Sequence, residues 1–228
     1  MPDETLLARV YIVRHGETAE NREGIIQGQA NTKLNELGVK QAALVAKALK
    51  NVRFDIALSS DLSRAADTAE AILQHHQGVE LNKQVELRER SLGSMEGKKH
   101  APGVGFKFTL AANESVEASS AFSKRITGWW NRVILQSILS KSREDGEHLN
   151  VLVATHGGVI VGLVQELLGS RKVRCQKGVV VWKCMNASVT IIEVYGNRKG
   201  VLVQYSDITH LEGLEVLESS ADQTQAGT

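Results

Sequence analysis

Two apolar runs in this chain end in the same way. Val10-Tyr11-Ile12-Val13 stops at Arg14-His15-Gly16, and Val151-Leu152-Val153-Ala154 stops at Thr155-His156-Gly157-Gly158. Runs of β-branched and other apolar residues with no polar alternation read as strands buried on both faces, which belong to parallel sheets covered by helices on each side. A third run, residues 54–59, has Ile56, Ala57 and Leu58 at its centre and leads through Ser60-Asp61 into a helical pattern with Arg64 in its first turn. In open α/β sheets, ligands bind at the carboxyl ends of the strands. The three runs therefore direct His15, His156, Arg14 and Arg64 to one edge. A glycine after each histidine lets the backbone turn sharply and approach a ligand closely.

The segments between these runs have helical spacing. Residues 36–49 form one pattern, with Asn35 placed as its N-cap. Leu62, Ala65, Ala66, Ala69, Ile72 and Leu73 share a face in the next. A long helix is expected over 115–139, where Phe122, Ile126, Trp129 and Val133 lie four, three and four residues apart, and another follows His156 through Leu168. Residues 179–182, 188–195 and 201–208 read as further strands, the last two as a hairpin across Gly196-Asn197-Arg198. Strands alternating with helices predict an α/β fold: one domain with a mostly parallel central sheet and helices on both faces. Residues 98–114, with Pro102, Gly103 and Gly105, read as a loop or lid. Residues 216–228 have little apolar content and read as a disordered tail, so the domain is expected over 1–215.

A chain of 228 residues can bury a sizeable core unaided. Its net charge of +1 gives no general pull toward nucleic acid or a membrane surface. The Trp129-Trp130 pair falls on a core pattern with no basic groove beside it, so it reads as packing and not as a base-stacking platform. No run approaches the ~18 apolar residues of a membrane span, and Asp3 and Glu4 do not fit a secretory leader. Cys175 and Cys184 read as reduced thiols, because two cysteines make no disulfide framework in a domain of this size. A cytoplasmic or nucleocytoplasmic protein, monomer or homodimer, is expected. Neither metal nor cofactor is expected: His75-His76 lack ligand spacing, and there is no P-loop or dinucleotide fingerprint. Attraction for an anion must then come from a local cluster. Arg14 and Arg64, beside helix N-termini, form one suited to a phosphate.

Four ordered segments resemble one family. Arg14-His15-Gly16-Glu17-Thr18 with Asn21 resembles the R-H-G-[EQ]-T-x-x-N signature of the phosphoglycerate mutase-like branch of the histidine phosphatases. Ser59-Ser60-Asp61-Leu62-Ser63-Arg64-Ala65-Ala66-Asp67-Thr68-Ala69 is similar to its S-S-x-L-x-R-x-x-x-T-A segment. Leu87-Arg88-Glu89-Arg90, followed by Gly93 and Glu96-Gly97, is similar to its L-x-E-x-x-x-G-x-x-x-G block, and Thr155-His156-Gly157-Gly158 to its second histidine motif. The likeness extends over residues 9–212. It is greatest to small phosphatases of fungal type, whose ending Asn186-Ala187-Ser188-Val189-Thr190 and His210-Leu211 resemble.

The resemblance implies a phosphoglycerate mutase-like fold and a metal-independent phosphatase acting on small phosphorylated metabolites. His15 is the implied nucleophile, forming a phosphohistidine. Arg14, Arg64 and His156 would hold the phosphoryl oxygens, Asn21 and the Gly157 N–H would add hydrogen bonds, and Glu89 would pass protons to and from the ester oxygen and water. Gln27 and Gly28 match a position where a loop approaches the substrate, while Glu17 and Thr18 would brace that loop. The first rival reading is a phosphoglycerate mutase or sugar-bisphosphate phosphatase. Family mutases carry a Tyr after the catalytic Glu and an Arg pair in the lid. Here Ser91-Leu92 replaces the aromatic position, and the lid has Lys107 and no Arg beyond Lys99, which favours hydrolysis over transfer. The second rival is a phosphate-binding module without catalysis.

Overall fold

The computed structural model describes residues 5–99, 114–141 and 147–214. Its sheet has seven strands, β1 (Leu6–Arg14), β2 (Ile56–Ser59), β3 (Leu81–Lys83), β4 (Leu149–Thr155), β5 (Val173–Cys175), β6 (Val189–Tyr195) and β7 (Gly200–Asp207), in the order β3-β2-β4-β1-β6-β7-β5. Only β6 runs against the others: β1, β2, β3 and β4 pair in parallel, and β6 is antiparallel to both β1 and β7. The helices are α1 (Ala19–Glu23), α2 (Glu36–Leu49), α3 (Ser63–Leu73), α4 (Ser119–Trp129), which continues in π winding over Trp130–Ile138, and α5 (Gly157–Gly169).

The buried runs divide between two faces, as a two-residue side-chain period requires. Val10 and Ile12 of β1, with Val151 and Val153 of β4, pack on α4, its π extension and α5 through Trp129, Trp130, Ile134, Ile160 and Leu163. Tyr11, Val13 and Leu152 point the other way, onto Val45, Ala46 and Leu49 of α2 and Ile72 of α3. Both cores are thus supplied by the same strands, and a one-residue slip of β1 would exchange them. Asn35 caps α2 as expected, its side chain accepting from the Gly38 N–H at 2.7 Å.

The helix expected over 115–139 is observed from Ser119 to Ile138, with a change of winding inside it. The Leu139 N–H reaches back five residues to the Ile134 carbonyl at 3.1 Å. The looser turn keeps Trp130, Ile134 and Ile138 on the buried side, next to Trp129. The Trp129 indole N–H also donates to the Gln84 side chain.

One expectation needs correction, and the short elements β3, β5 and α1 have no counterpart in the sequence reading. Residues 179–182 are not a strand. They follow a turn at Gly178, which has φ 91°, and run along the surface with Val180 73% and Trp182 72% exposed. The sheet edge beside β7 is taken by β5, three residues too short to show a period, and β3 at the other edge was missed for the same reason. The segment after Thr18 holds the short helix α1 and is not all loop. Of the loop or lid at 98–114, only residues 98, 99 and 114 are described, and the tail at 216–228 lies outside the described residues.

Two of the tryptophans test this packing. Trp130→Ala should lower the unfolding free energy by about 3–5 kcal/mol, as for other buried aromatic truncations. Trp182→Ala, at an exposed position, should change it by less than about 0.5 kcal/mol. Urea titrations followed by circular dichroism distinguish the two.

Candidate active site

The site begins with strand register. Arg14 of β1 lies opposite Thr155 of β4, so each histidine is the next residue out of the sheet. The His15 N–H donates to the Thr155 carbonyl at 3.0 Å, and the Ser60 N–H, leaving β2, donates to Ala154 at 2.9 Å. Three parallel strand ends thereby deliver His15, His156 and Ser60 to one place. The two imidazole centroids are 5.3 Å apart.

Beyond His15 the chain turns against the start of α2. A side chain at Gly16 would overlap the Gly38 carbonyl, and one at Gly38 would overlap the backbone of Glu17. Glu17 is a bracing residue. Its buried carboxylate accepts from Arg22 at 2.8 Å and from the Asn35 amide at 2.8 Å, and its own N–H donates to Gln41. Thr18 and Asn21 cap α1 reciprocally, and the Asn186 amide donates both to the His15 carbonyl at 3.1 Å and to Asn21 Oδ1 at 3.2 Å.

Each side chain singled out in the sequence is held in place here. His15 Nδ1 lies 2.7 Å from the Gly16 carbonyl. A carbonyl can only accept, so Nδ1 carries the proton and Nε2 is the nitrogen with a lone pair. Arg14 donates from Nη1 to the Cys184 carbonyl at 2.6 Å. Arg64 is fully buried and donates to the Ala30 and Gly28 carbonyls, each at 2.8 Å. Gly28 therefore positions Arg64. Buried Gln27 accepts from Thr18 and Thr32 and ties the same loop together. His156 Nε2 lies 2.9 Å from Ser60 Oγ, and its Nδ1 is buried with no hydrogen-bond partner. Ser60 Oγ also accepts from the Leu62 N–H at 3.3 Å and keeps its own proton to donate, so a Ser60 O–H bond to Nε2 would pair with a protonated Nδ1.

Glu89 closes the site from the side of α5. Its buried carboxylate accepts from the Arg90 N–H and from the Gly158 N–H, both at 2.8 Å. The glycine bonded to it is thus Gly158, one residue beyond the Gly157 singled out in the sequence. Thr155 Oγ1 donates to the Leu87 carbonyl at 2.7 Å, and Arg125 of α4 donates to the carbonyls of Glu86, Arg88 and Glu89 at 2.7, 2.8 and 3.2 Å. A two-pronged pairing with Glu117, at 2.8 and 2.7 Å, orients Arg125. Beside Glu89 lies a cavity of about 130 Å³ lined by Arg90, Phe122, Gly158, Gly162 and Gln165.

Ser60 could have been marked from the sequence, since it follows β2 as His15 follows β1. Arg125 and Glu117 could not, because nothing local ties them to residues 86–89.

The field in this cleft is positive. Burial, then Arg64, then Arg14 push the His15 pKa well below the ordinary 6.5, and His156 is lowered by burial, Arg64, His15 and Arg14 in turn. Both rings are neutral near pH 7. Among the described residues, no group of three or more His, Cys, Asp or Glu side chains could hold a metal ion, and Cys175 and Cys184 are free thiols. No helix among them is long and apolar enough to cross a membrane.

Comparison with known proteins matches this geometry. The chain is 31% identical to a metal-independent phosphoserine phosphatase of Arabidopsis thaliana, over 96% of this chain and 90% of that one. It is 29% identical to a broad-specificity phosphatase of Saccharomyces cerevisiae, over 89% and 86%. The structure of a phosphoglycerate mutase from Bacillus anthracis superposes with a TM-score of 0.74 at 27% identity, covering 92% of this chain and 97% of that one. A family model spans residues 10–207, from the strand that delivers His15 to the end of β7, and the chain belongs to the histidine phosphatase superfamily (branch 1).

Proposed function

We propose that this histidine phosphatase hydrolyses small phosphate monoesters by way of a phosphohistidine on Nε2 of His15, with Glu89 as proton donor and acceptor. The observation that carries the proposal is the bond from His15 Nδ1–H to the Gly16 carbonyl, which turns a neutral lone pair toward Arg14, Arg64 and His156. In the first step Nε2 attacks phosphorus, the ester P–O bond breaks, and Glu89 gives its proton to the departing alcohol oxygen. In the second, water attacks phosphorus, its proton passes to the Glu89 carboxylate, the N–P bond breaks and phosphate leaves.

Phosphoryl transfer depends on positioning and on charge already in place. Arg14 and Arg64 meet this requirement, because carbonyl oxygens anchor their guanidinium groups before substrate arrives. Nδ1 of His156, buried and unpaired, serves as a third donor to a phosphoryl oxygen in the tautomer that protonates it. Asn21, Gln27, Gly28 and the N–H of Gly157 are assigned to the same subsite, the first three also shaping the loop around Arg64. A cytoplasmic setting belongs to the same reading and rests on the sequence, whose two cysteines make no disulfide framework.

Three outcomes are expected. His15→Ala should abolish EDTA-resistant hydrolysis of p-nitrophenyl phosphate and the acid-labile labelling of the enzyme in rapid quench; residual labelling would reject His15. Glu89→Gln should lower kcat by about 10²–10⁴-fold while orthovanadate affinity stays within a few-fold. Parallel losses of both would make Glu89 a structural residue. The acidic limb of kcat/KM should lie well below pH 6.5: the neutral nucleophile is present above the folded-state pKa of His15 and is lost as pH falls through it. A limb at 6.5 assigned by NMR to His15 would contradict this.

A further inference from the structure

At the other end of the sheet lies a cleft of about 520 Å³ lined by Arg171, Lys172, Arg174, Lys199, Tyr195 and Asn197. Its position follows from register. Tyr195 pairs with Leu6, the first residue of β1, and β7 begins beside it at Gly200. With strands rising ~3.3 Å per residue, the cleft is roughly 26 Å from the edge that carries His15.

Two connections supply the cations. The turn from α5 into β5 provides Arg171 and Lys172, β5 itself provides Arg174, and the turn from β6 into β7 provides Lys199. The two are joined, because the Gly200 N–H donates to the Lys172 carbonyl at 2.8 Å and Arg174 pairs with Val201. Arg171 sits in the left-handed region at φ 56°, uncommon for a residue with a side chain. It is held there by N–H bonds from Arg171 to Leu168 and from Lys172 to Leu167, each 3.0 Å.

Among the described residues the charge is not cancelled. None of the four cations forms an ion pair with a described residue. Lys172 Nζ bonds the neutral Asn131 amide at 3.0 Å. The neighbouring acid, Glu193, is engaged by Arg9 at 2.6 Å and by the Tyr195 hydroxyl at 2.8 Å. The C-terminus of α5 accounts for cations at 171 and 172, but not for Arg174 and Lys199 on the strand side. In a chain of net charge +1, four cations around one concavity focus a positive potential.

We propose that this cleft is a second anion site, which binds a small metabolite bearing two or more phosphate or carboxylate groups. Its volume is that of small-molecule sites, and two joined turns enclose it where a nucleic acid or membrane would need an extended face. Inorganic tripolyphosphate is the probe, titrated calorimetrically into the full chain with orthovanadate saturating the catalytic cleft. One tripolyphosphate should bind per chain. Arg174→Glu/Lys199→Glu should weaken it at least tenfold, and Lys199→Gln should weaken it in the same direction, with p-nitrophenyl phosphate turnover unchanged in both as the check on folding. No binding to the vanadate-saturated native chain would overturn the proposal, as would equal affinity in the variants. Tighter binding of an RNA oligonucleotide or anionic vesicles at the same residues would overturn the ligand class. The readout is binding and not turnover, so it fails or stands apart from the catalytic assignment.

Discussion

The parallel register of β1 and β4 is the constraint on which the rest of the molecule depends. Pairing Arg14 with Thr155 sets both histidines one step outside the sheet, and the bond from the His15 N–H to the Thr155 carbonyl continues the ladder to the proposed nucleophile itself. The same register divides the strand side chains between two cores. A slip of one residue would therefore unpack both helical layers and separate the imidazoles at once. Catalytic geometry here is set by the hydrophobic alternation of strands whose side chains lie outside the site.

The second requirement is electrostatic. Burying two guanidinium groups beside two imidazoles is unfavourable unless the cations are hydrogen-bonded and the rings stay neutral. The fold satisfies the first condition with main-chain carbonyls of Cys184, Ala30 and Gly28. It satisfies the second through the depressed pKa values of His15 and His156, to which the same arginines contribute. The positive field that would stabilise a phosphoryl group thus adds to burial in keeping the His15 ring unprotonated. Losing one prepositioned donor costs roughly 10²–10³ in kcat in comparable oxyanion sites, so the loop that anchors Arg64 through Gly28 and Ala30 belongs functionally to the site.

What was legible in the sequence was whatever depends on local pattern. The runs at 10–13 and 151–154 gave the central strands, and the residues after them gave the histidines. The expected hairpin is β6 and β7, and the expected α/β class holds. The failures share a cause. Residues 179–182 have a strand's composition, but a strand exists only with a neighbour to pair with, and β5 holds that edge. Three-residue strands have no period to detect. The bonds from Arg125 to residues 86–89 span 36 to 39 positions, and no local pattern encodes that proximity. Ser60 was visible within its motif, yet its role became clear only once the partner of His156 Nε2 was seen.

Glu89, the proposed proton-transfer residue, shows how a side chain on a connecting segment can be held as firmly as one on a strand. From one side, Arg125 gathers the carbonyl groups of Glu86, Arg88 and Glu89 and is itself fixed by Glu117. From the other, the first turn of α5 gives the carboxylate the Gly158 N–H, where the helix dipole favours negative charge. A Cβ at position 158 would overlap the Glu89 carboxylate where it lies, so any side chain there would displace it. The second glycine of Thr155-His156-Gly157-Gly158 is thus explained by contact with a residue 69 positions away, and not by turn formation. Gly158 lies in α5 and needs no unusual backbone angle. The missing side chain is what matters: it lets a helix N-terminus and a carboxylate approach closely enough to share one hydrogen bond beside the two imidazoles.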